Sequence, residues 1–411
     1  MRRLIAAGCI GAALLLAACS GGGGSDDSVR TTASSRTPEI TATPTSVPIP
    51  DRPAALADYA PAVAAYLRAD PGAADGTPCL AALVQAWYGV RPAPSSCVRL
   101  NADADPELEL AIVLTAPEAD PGLKMPSASE VAIFDVQPGA ASVAYVSPPV
   151  TIFIAATGEG ASIIDGGDLL GDGAGAMAYG ATSCGAHTCT LAVHVVRGTA
   201  TGYTEVTPAD GITLATATAR FADTDGDGRK ELVLTGGEIG SVGAGPQRPR
   251  TDTWAWDGAA YALRSSVPGP SDYLYHAVID AGALFDAGNY AAAERAYLAV
   301  VDNTSLKEWT PEKHERAELE SYALFRAGLA VLAAGGDPAR ALDDFHRADN
   351  HTTLHGQLAA SFSAGCAAKQ DIRVGCAAVR DDLAANADEY AAFWDFGYGN
   401  PAFDPSKVCP F

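Results

Sequence analysis

The chain has 411 residues, of which 48% are hydrophobic and 18% charged, and its net charge is −22. That is enough apolar material for two or three globular domains and too much for a disordered chain. With 49 acidic against 27 basic side chains, the surface repels polyanions, which excludes DNA and RNA as partners.

At the N-terminus, Arg2 and Arg3 precede an apolar run from Leu4 to Leu15, followed by Leu16-Ala17-Ala18-Cys19. A charged start, a short apolar stretch and small residues before a cleavage point form a secretory signal. The run falls short of the roughly 20 residues that span a bilayer. Leu-Ala-Ala-Cys resembles the lipobox of bacterial lipoproteins, where diacylglycerol alkylates the cysteine thiol before cleavage frees its amine. The expectation is residues 1–18 removed and acyl chains (palmitate among them) on Cys19, holding the chain to an extracytoplasmic face of the cell membrane or outer membrane. Two or three chains anchor far more durably than one. Residues 19–52 are mostly Gly, Ser, Thr and Pro and cannot bury a core. They read as a tether with a reach of roughly 30 Å, taking about 5–6 Å times the square root of its length.

Residues 53–98 read as a helical lead-in, with helices over 54–69 and 79–88 that stop at Pro71-Gly72 and Gly89. From 99 to 267 short β-branched runs alternate with Gly, Pro and Asp, which predicts antiparallel strands at Leu108–Leu114, Val131–Val136, Thr151–Ala155, Leu191–Val196, Glu231–Leu234 and Thr253–Trp256. Asp257-Gly258 is expected to turn a hairpin. Residues 268–411 return to a helical period. The fold class expected is multidomain α+β: an antiparallel β domain, either a partial propeller or a set of stacked sheets, followed by α-helical hairpins.

Seven cysteines follow Cys19, and outside the cytoplasm they should oxidise. Proximity suggests Cys79–Cys97, Cys184–Cys189 and Cys366–Cys376, leaving Cys409, although spacing does not fix connectivity. Cys184-Gly-Ala-His187-Thr-Cys189 could be drawn as a metal site; a hairpin disulfide is the plainer reading.

Within the β region, Asp223-Thr-Asp225-Gly-Asp227-Gly228-Arg229-Lys230-Glu231 runs straight into a strand. Alternate carboxylates turn inward in a tight loop, where a hard cation takes oxygen ligands; Gly228 permits the turn, Arg229 can offer its carbonyl and Glu231 can close the sphere. The residue at loop position twelve is Leu234, so this is not an EF-hand. The loop is similar to the calcium loop of FG-GAP/VCBS (integrin-like) repeats, Asp-x-Asp-x-Asp-Gly-x-x-Asp. Asn101, Asp103, Asp105 and Glu109 repeat the spacing, with Pro106 where the family has Gly. Asp168-Leu-Leu-Gly-Asp172-Gly173 keeps the family's shape but has apolar residues at its third and ninth positions, so no ion is expected there. The resemblance covers 100–265 and implies structural calcium as cofactor at Asp223, Asp225, Asp227, Arg229 and Glu231, and more weakly at Asn101, Asp103, Asp105 and Glu109.

In the helical part, Ala281 to Tyr297, with Gly288, Tyr290 and Ala293, resembles the core of a tetratricopeptide repeat. Gly336, Pro338, Ala341, Phe345 and Ala348 repeat it 48 residues later, which implies an insertion around Asn303–His314. Such repeats bind peptides or partner surfaces, or simply pack.

No catalytic residues are expected. His351-Thr-Thr-Leu-His355 lacks the glutamate of a zinc protease, since Thr352 stands in its place; these histidines, like His346 and Asp349, read as surface residues. No Gly-x-Ser-x-Gly elbow or phosphate loop occurs. The run Phe393-Trp394-Asp395-Phe396-Gly397-Tyr398 reads as a core pin, with a sugar or peptide groove as its alternative. The expected function is a membrane-anchored binding or scaffolding lipoprotein with a protein or glycan partner. An envelope-polymer hydrolase working through acidic residues, or a purely structural envelope protein, stands as the alternative.

Overall fold

The computed structural model describes residues 47–411 apart from 77, 90–95, 104, 106, 117–126, 153–159, 350–352 and 370. The lipobox, most of the tether, Pro106 and His351 lie outside the described residues.

Two short α-helices come first among the described residues, α1 (Tyr59–Ala69) and α2 (Ala81–Tyr88). Three antiparallel sheets follow. The first holds β1 (Cys97–Leu100), β2 (Glu109–Ala116), β3 (Ser127–Gln137), β4 (Ala140–Val146) and β5 (Val150–Ile152). The second holds β6 (Gly160–Gly167), β7 (Ala176–Cys184), β8 (Cys189–Thr199), β9 (Gly202–Glu205) and β10 (Ile212–Ala215). The third holds β11 (Thr218–Ala222), β12 (Glu231–Gly236), β13 (Arg250–Trp256) and β14 (Tyr261–Pro268). Each sheet begins the same way, its first strand pairing with its second and its second with its third.

Period-two alternation sets the stacking. Leu110, Ile112, Leu114, Ala132 and Phe134 face α1 and α2, where Tyr59, Val63, Leu67, Leu83 and Trp87 cover them. Their neighbours Ala111, Val131 and Ile133 face the second sheet through Met177, Tyr179 and Val196. The opposite face of that sheet, with Ala178, Val193 and Val195, meets Leu232, Leu234, Trp256 and Tyr261 of the third. The strands β2, β7 and β12 are buried on both faces over most of their length, which is why they read as continuous apolar runs. Each large apolar side chain taken fully out of water contributes about 1.5–3 kcal/mol. The architecture is thus α+β with stacked, open sheets.

The helical region comprises α3 (Leu274–Asp286), α4 (Tyr290–Asp302), α5 (Glu315–Ala333), α6 (Pro338–Asp349), α7 (Leu354–Lys369), α8 (Ile372–Ala385) and α9 (Ala387–Phe393). Gly288 (φ +75°) and Gly335 (φ +70°) end α3 and α5 in the left-handed conformation that glycine adopts without a Cβ penalty. Tyr297, Ala341, Phe345 and Ala348 are buried between the hairpins. A Cβ on Gly328 would stand 2.5 Å from the Phe345 ring, so that glycine lets α5 and α6 approach. Among the described residues, no helix is long and apolar enough to cross a membrane.

The disulfides are Cys79–Cys97, Cys184–Cys189 and Cys376–Cys409. The expected Cys366–Cys376 bond is corrected. Cys376 is fully buried and faces the core where Val408 and Cys409 arrive, whereas Cys366 lines an open groove with Phe345 and Ile372 and forms no disulfide. Cys184 and Cys189 are direct partners across the β7–β8 ladder, which accounts for the hairpin bond.

Candidate functional site

The three acidic loops occupy equivalent places. Each joins the first strand of its sheet to the second, and each ninth position starts that second strand: Glu109 in β2, Ala176 in β7, Glu231 in β12.

Asx turns shape the Asp223 loop. Asp223 accepts from Gly226 N at 2.6 Å and Gly228 N at 3.1 Å, Asp225 from Asp227 N at 3.2 Å, and Asp227 from Arg229 N at 2.8 Å. Gly226 and Gly228 both have positive φ, which these turns require. Buried Glu231 reaches back to accept from Thr224 N at 2.7 Å and Thr224 Oγ1 at 2.6 Å through one oxygen. One carboxylate oxygen from each of Asp223, Asp225 and Glu231 lies within 4.8 Å of the other two. Asp227 stands outside that group. An ion pair with Arg264 on β14 holds the Asp225 carboxyl below its usual range.

The Asn101 loop repeats this plan. Glu109, also buried, accepts from Ala102 N at 2.6 Å, the same reach of seven residues back as Glu231 to Thr224. Asp103 accepts from Asp105 N, and Asp105 from Glu107 N, both at 2.9 Å. Asp103, Asp105 and Glu109 likewise bring three oxygens within 4.8 Å. Asn101 donates through its amide to the Asp105 carbonyl. Burial raises the Glu109 pKa, and Asp103 adds to it. The Tyr203 hydroxyl is buried nearby without a hydrogen-bond partner, and its pKa is raised first by burial and then by Glu109 and Asp103.

The middle loop departs from both. Leu170 and Ala176 hold positions where its neighbours have carboxylates, and Arg197 Nη2 lies 2.8 Å from Asp172 Oδ2. Arg197 is the ladder partner of Ala176, so a guanidinium supplies the positive charge next to the loop. Nothing in the loop's own residues announces it.

The loops form one row. Gly175 N donates to the Asp103 carbonyl, and Lys230 N to the Leu169 carbonyl, both at 2.9 Å. A Cβ on Gly175 would meet Asp103 N at 2.3 Å, and one on Gly198 would meet Asp103 Cα at 2.5 Å. Glycine is required at both because the sheets touch backbone to backbone. Lys230 Nζ also crosses to Asp165 at 2.9 Å.

The histidine reading changes at one position. His346 and Asp349 are exposed as expected, but His355 is fully buried. Its Nδ1 lies 2.6 Å from Glu318 Oε2, and its Nε2 accepts from Trp394 Nε1 at 2.9 Å. Because Nε2 accepts from Trp394, the ring proton sits on Nδ1 facing Glu318, and burial depresses the ring's pKa. Both nitrogens are engaged, and neither is open to a metal. The tail aromatics Phe393, Trp394 and Phe396 are buried, while Tyr398 is 69% exposed.

No family model, no curated protein and no solved structure matches the chain.

Proposed function

We propose that the chain is a membrane-anchored, extracytoplasmic binding or scaffolding lipoprotein whose β region is stapled by calcium at the Asp223 loop. The observation that carries this reading is the convergence of Asp223, Asp225 and Glu231 oxygens within 4.8 Å. An all-oxygen carboxylate set suits a hard cation. Three disulfides fit an oxidising compartment, and the lipobox at Cys19 supplies the anchor. The calcium site resembles that of FG-GAP/VCBS repeats, and the second such site would use Asn101, Asp103, Asp105 and Glu109.

Binding confined to the folded state stabilises by RT ln(1 + [L]/Kd), about 2.7 kcal/mol at a hundredfold excess of calcium over Kd. That corresponds to a rise in Tm of roughly 5–8 °C, taking about 2–4 °C per kcal/mol. Melting in calcium and in chelator tests it, and equal midpoints would remove the calcium arm. The anchor is tested separately: Cys19→Ala should leave the membrane fraction and lose label from a fatty-acid probe.

A further inference from the structure

The helix α7 begins inside the core of the helical region, and its second residue is His355. The Glu318 carboxylate of α5 sits at this helix start and accepts from the amides of Leu354 at 2.9 Å and His355 at 3.0 Å. The same carboxylate faces the imidazole, with Oε2 2.6 Å from Nδ1, while Nε2 accepts from Trp394 Nε1 at 2.9 Å. Tyr322, Tyr390, Phe393 and Trp394 surround the ring with centroids 4.8–5.6 Å away. His355 has no exposed surface.

The two sides of the ring answer a proton differently. An imidazolium donates through both nitrogens, whereas an indole N–H only donates. On the Nδ1 side the N–H already points at a carboxylate, and added charge strengthens that bond. On the Nε2 side the new N–H meets the N–H of Trp394, which leaves two buried donors without an acceptor. Glu318 supplies the counter-charge. Burial raises its carboxyl, but His355 and the two amides outweigh burial and hold it below its usual range. Tyr322 of α5 and Tyr390 of α9 also face the ring, and among the described residues Glu318 is the one charge that acts on it. Acid therefore keeps the Glu318 contact and breaks the Trp394 contact. The indole has space to move into. It lines two half-open clefts, one with Leu383, Tyr390 and Ala391 and the other with Tyr275 and Ile279, and a stack on Phe403 at 5.4 Å holds it between them.

We propose that His355 is a proton-operated clasp on Trp394: a proton on Nε2 ejects the indole into one of these clefts, lets water reach the imidazolium and leaves the rest of the helical fold in place. The movement is local because Phe396 stays stacked on Tyr275 at 4.2 Å and Cys409 stays bonded to Cys376. The linkage has one direction. With the clasp shut, burial keeps the ring below its ordinary pKa. With it open, water and Glu318 face the ring and favour the charged form. Opening therefore grows as pH falls below about 6.5. The inference rests on neither the lipid anchor nor calcium.

Acrylamide quenching of tryptophan fluorescence on the purified full chain tests this, with far-UV circular dichroism recorded at each pH. Five tryptophans contribute, and the Trp394→Phe chain gives the signal of the others. Between about pH 7.5 and about pH 5, on either side of the ordinary histidine range, quenching assigned to Trp394 should rise at least severalfold while the helical signal holds. His355→Gln, whose side-chain oxygen accepts from the indole at every pH, should keep Trp394 protected throughout. Glu318→Gln, which removes the counter-charge, should move the opening to the acid side by roughly one pH unit or more. The clasp is overturned if Trp394 stays protected until the helical signal collapses, if the opening persists in His355→Gln, or if Glu318→Gln leaves its midpoint in place. Should His355→Gln fail to fold, the Glu318→Gln midpoint decides. Should both fail, the wild-type scan decides, and an opening that coincides with loss of helix overturns the proposal.

Discussion

Glu130 sits on β3, 5% exposed, with Oε1 unpartnered, on the face that α1 and α2 cover. Burial alone pushes its pKa up to about 7 from 4.5, and the one titratable group it is seen to influence among the described residues is Tyr88. The folded state therefore holds a proton that the unfolded state releases. Where the unfolded chain binds fewer protons, stability falls as pH rises. The loss runs from about pH 4.5 to pH 7 and amounts to about 2–3 kcal/mol. Glu130→Gln should melt with wild type at pH 4.5 and several degrees higher at pH 7.5, as thermal scans across that range would show. His355 works in the opposite sense: burial lowers its pKa, so its contribution is lost as pH falls below about 6.5. A residue of this kind is hard to read from sequence. Glu130 lies in an ordinary strand pattern, and the spacing of His351 and His355 says nothing of the Glu318 and Trp394 that close around the second ring.

At the scale of elements, the loops were the most legible part of the chain because Asx turns and positive-φ glycines are local chemistry. Asp223 to Glu231 folds as its alternating carboxylates require, apart from Asp227, which is spent on the Arg229 amide. The disulfide at Cys376 was less legible. In β7 and β8, sequence proximity puts cysteines opposite each other, but on a helix the face decides. Gly375, Cys376, Val379 and Leu383 share the buried face of α8, and the tail reaches it from 33 residues away. Two predictions belong here. Gly175→Ala would place a Cβ 2.3 Å from Asp103 N, and overpacking of this kind costs about 1–3 kcal/mol. Chemical denaturation should show the loss, with Gly72→Ala, whose Cβ would make only an ordinary contact at 3.5 Å, as the control. In the middle loop Arg197 already sits beside Asp172, so Asp172→Ala should leave the calcium response intact. Asp225→Ala with Asp227→Ala should remove the larger part of it in the same melt.

At the scale of the whole molecule, any response to calcium competes with a simpler effect. The chain carries a net charge of −22, and like charge on one compact body repels and lowers stability. Any salt relieves part of this, because the Debye length shrinks from about 30 Å at 0.01 M to about 8 Å at 0.15 M. The melting midpoint should therefore rise with sodium chloride over that range, in wild type and in Asp225→Ala/Asp227→Ala alike. Removing two carboxylates from so many changes the general field little, whereas it dismantles one of the two clusters of converging oxygens found among the described residues. Calcium at a few millimolar in a background of 0.15 M sodium chloride adds almost nothing to screening, so a shift seen there measures binding. The double variant should keep the sodium response and lose the larger part of the calcium shift, with any remainder attributable to Asp103, Asp105 and Glu109. Magnesium at matched concentration separates the cations further. It demands near-ideal octahedral geometry and gives up its waters reluctantly, so a loop crowded with Asx turns should respond to it less than to calcium. Equal shifts from both ions, retained in the double variant, would assign the effect to surface charge and leave Asp223 to Glu231 as a turn.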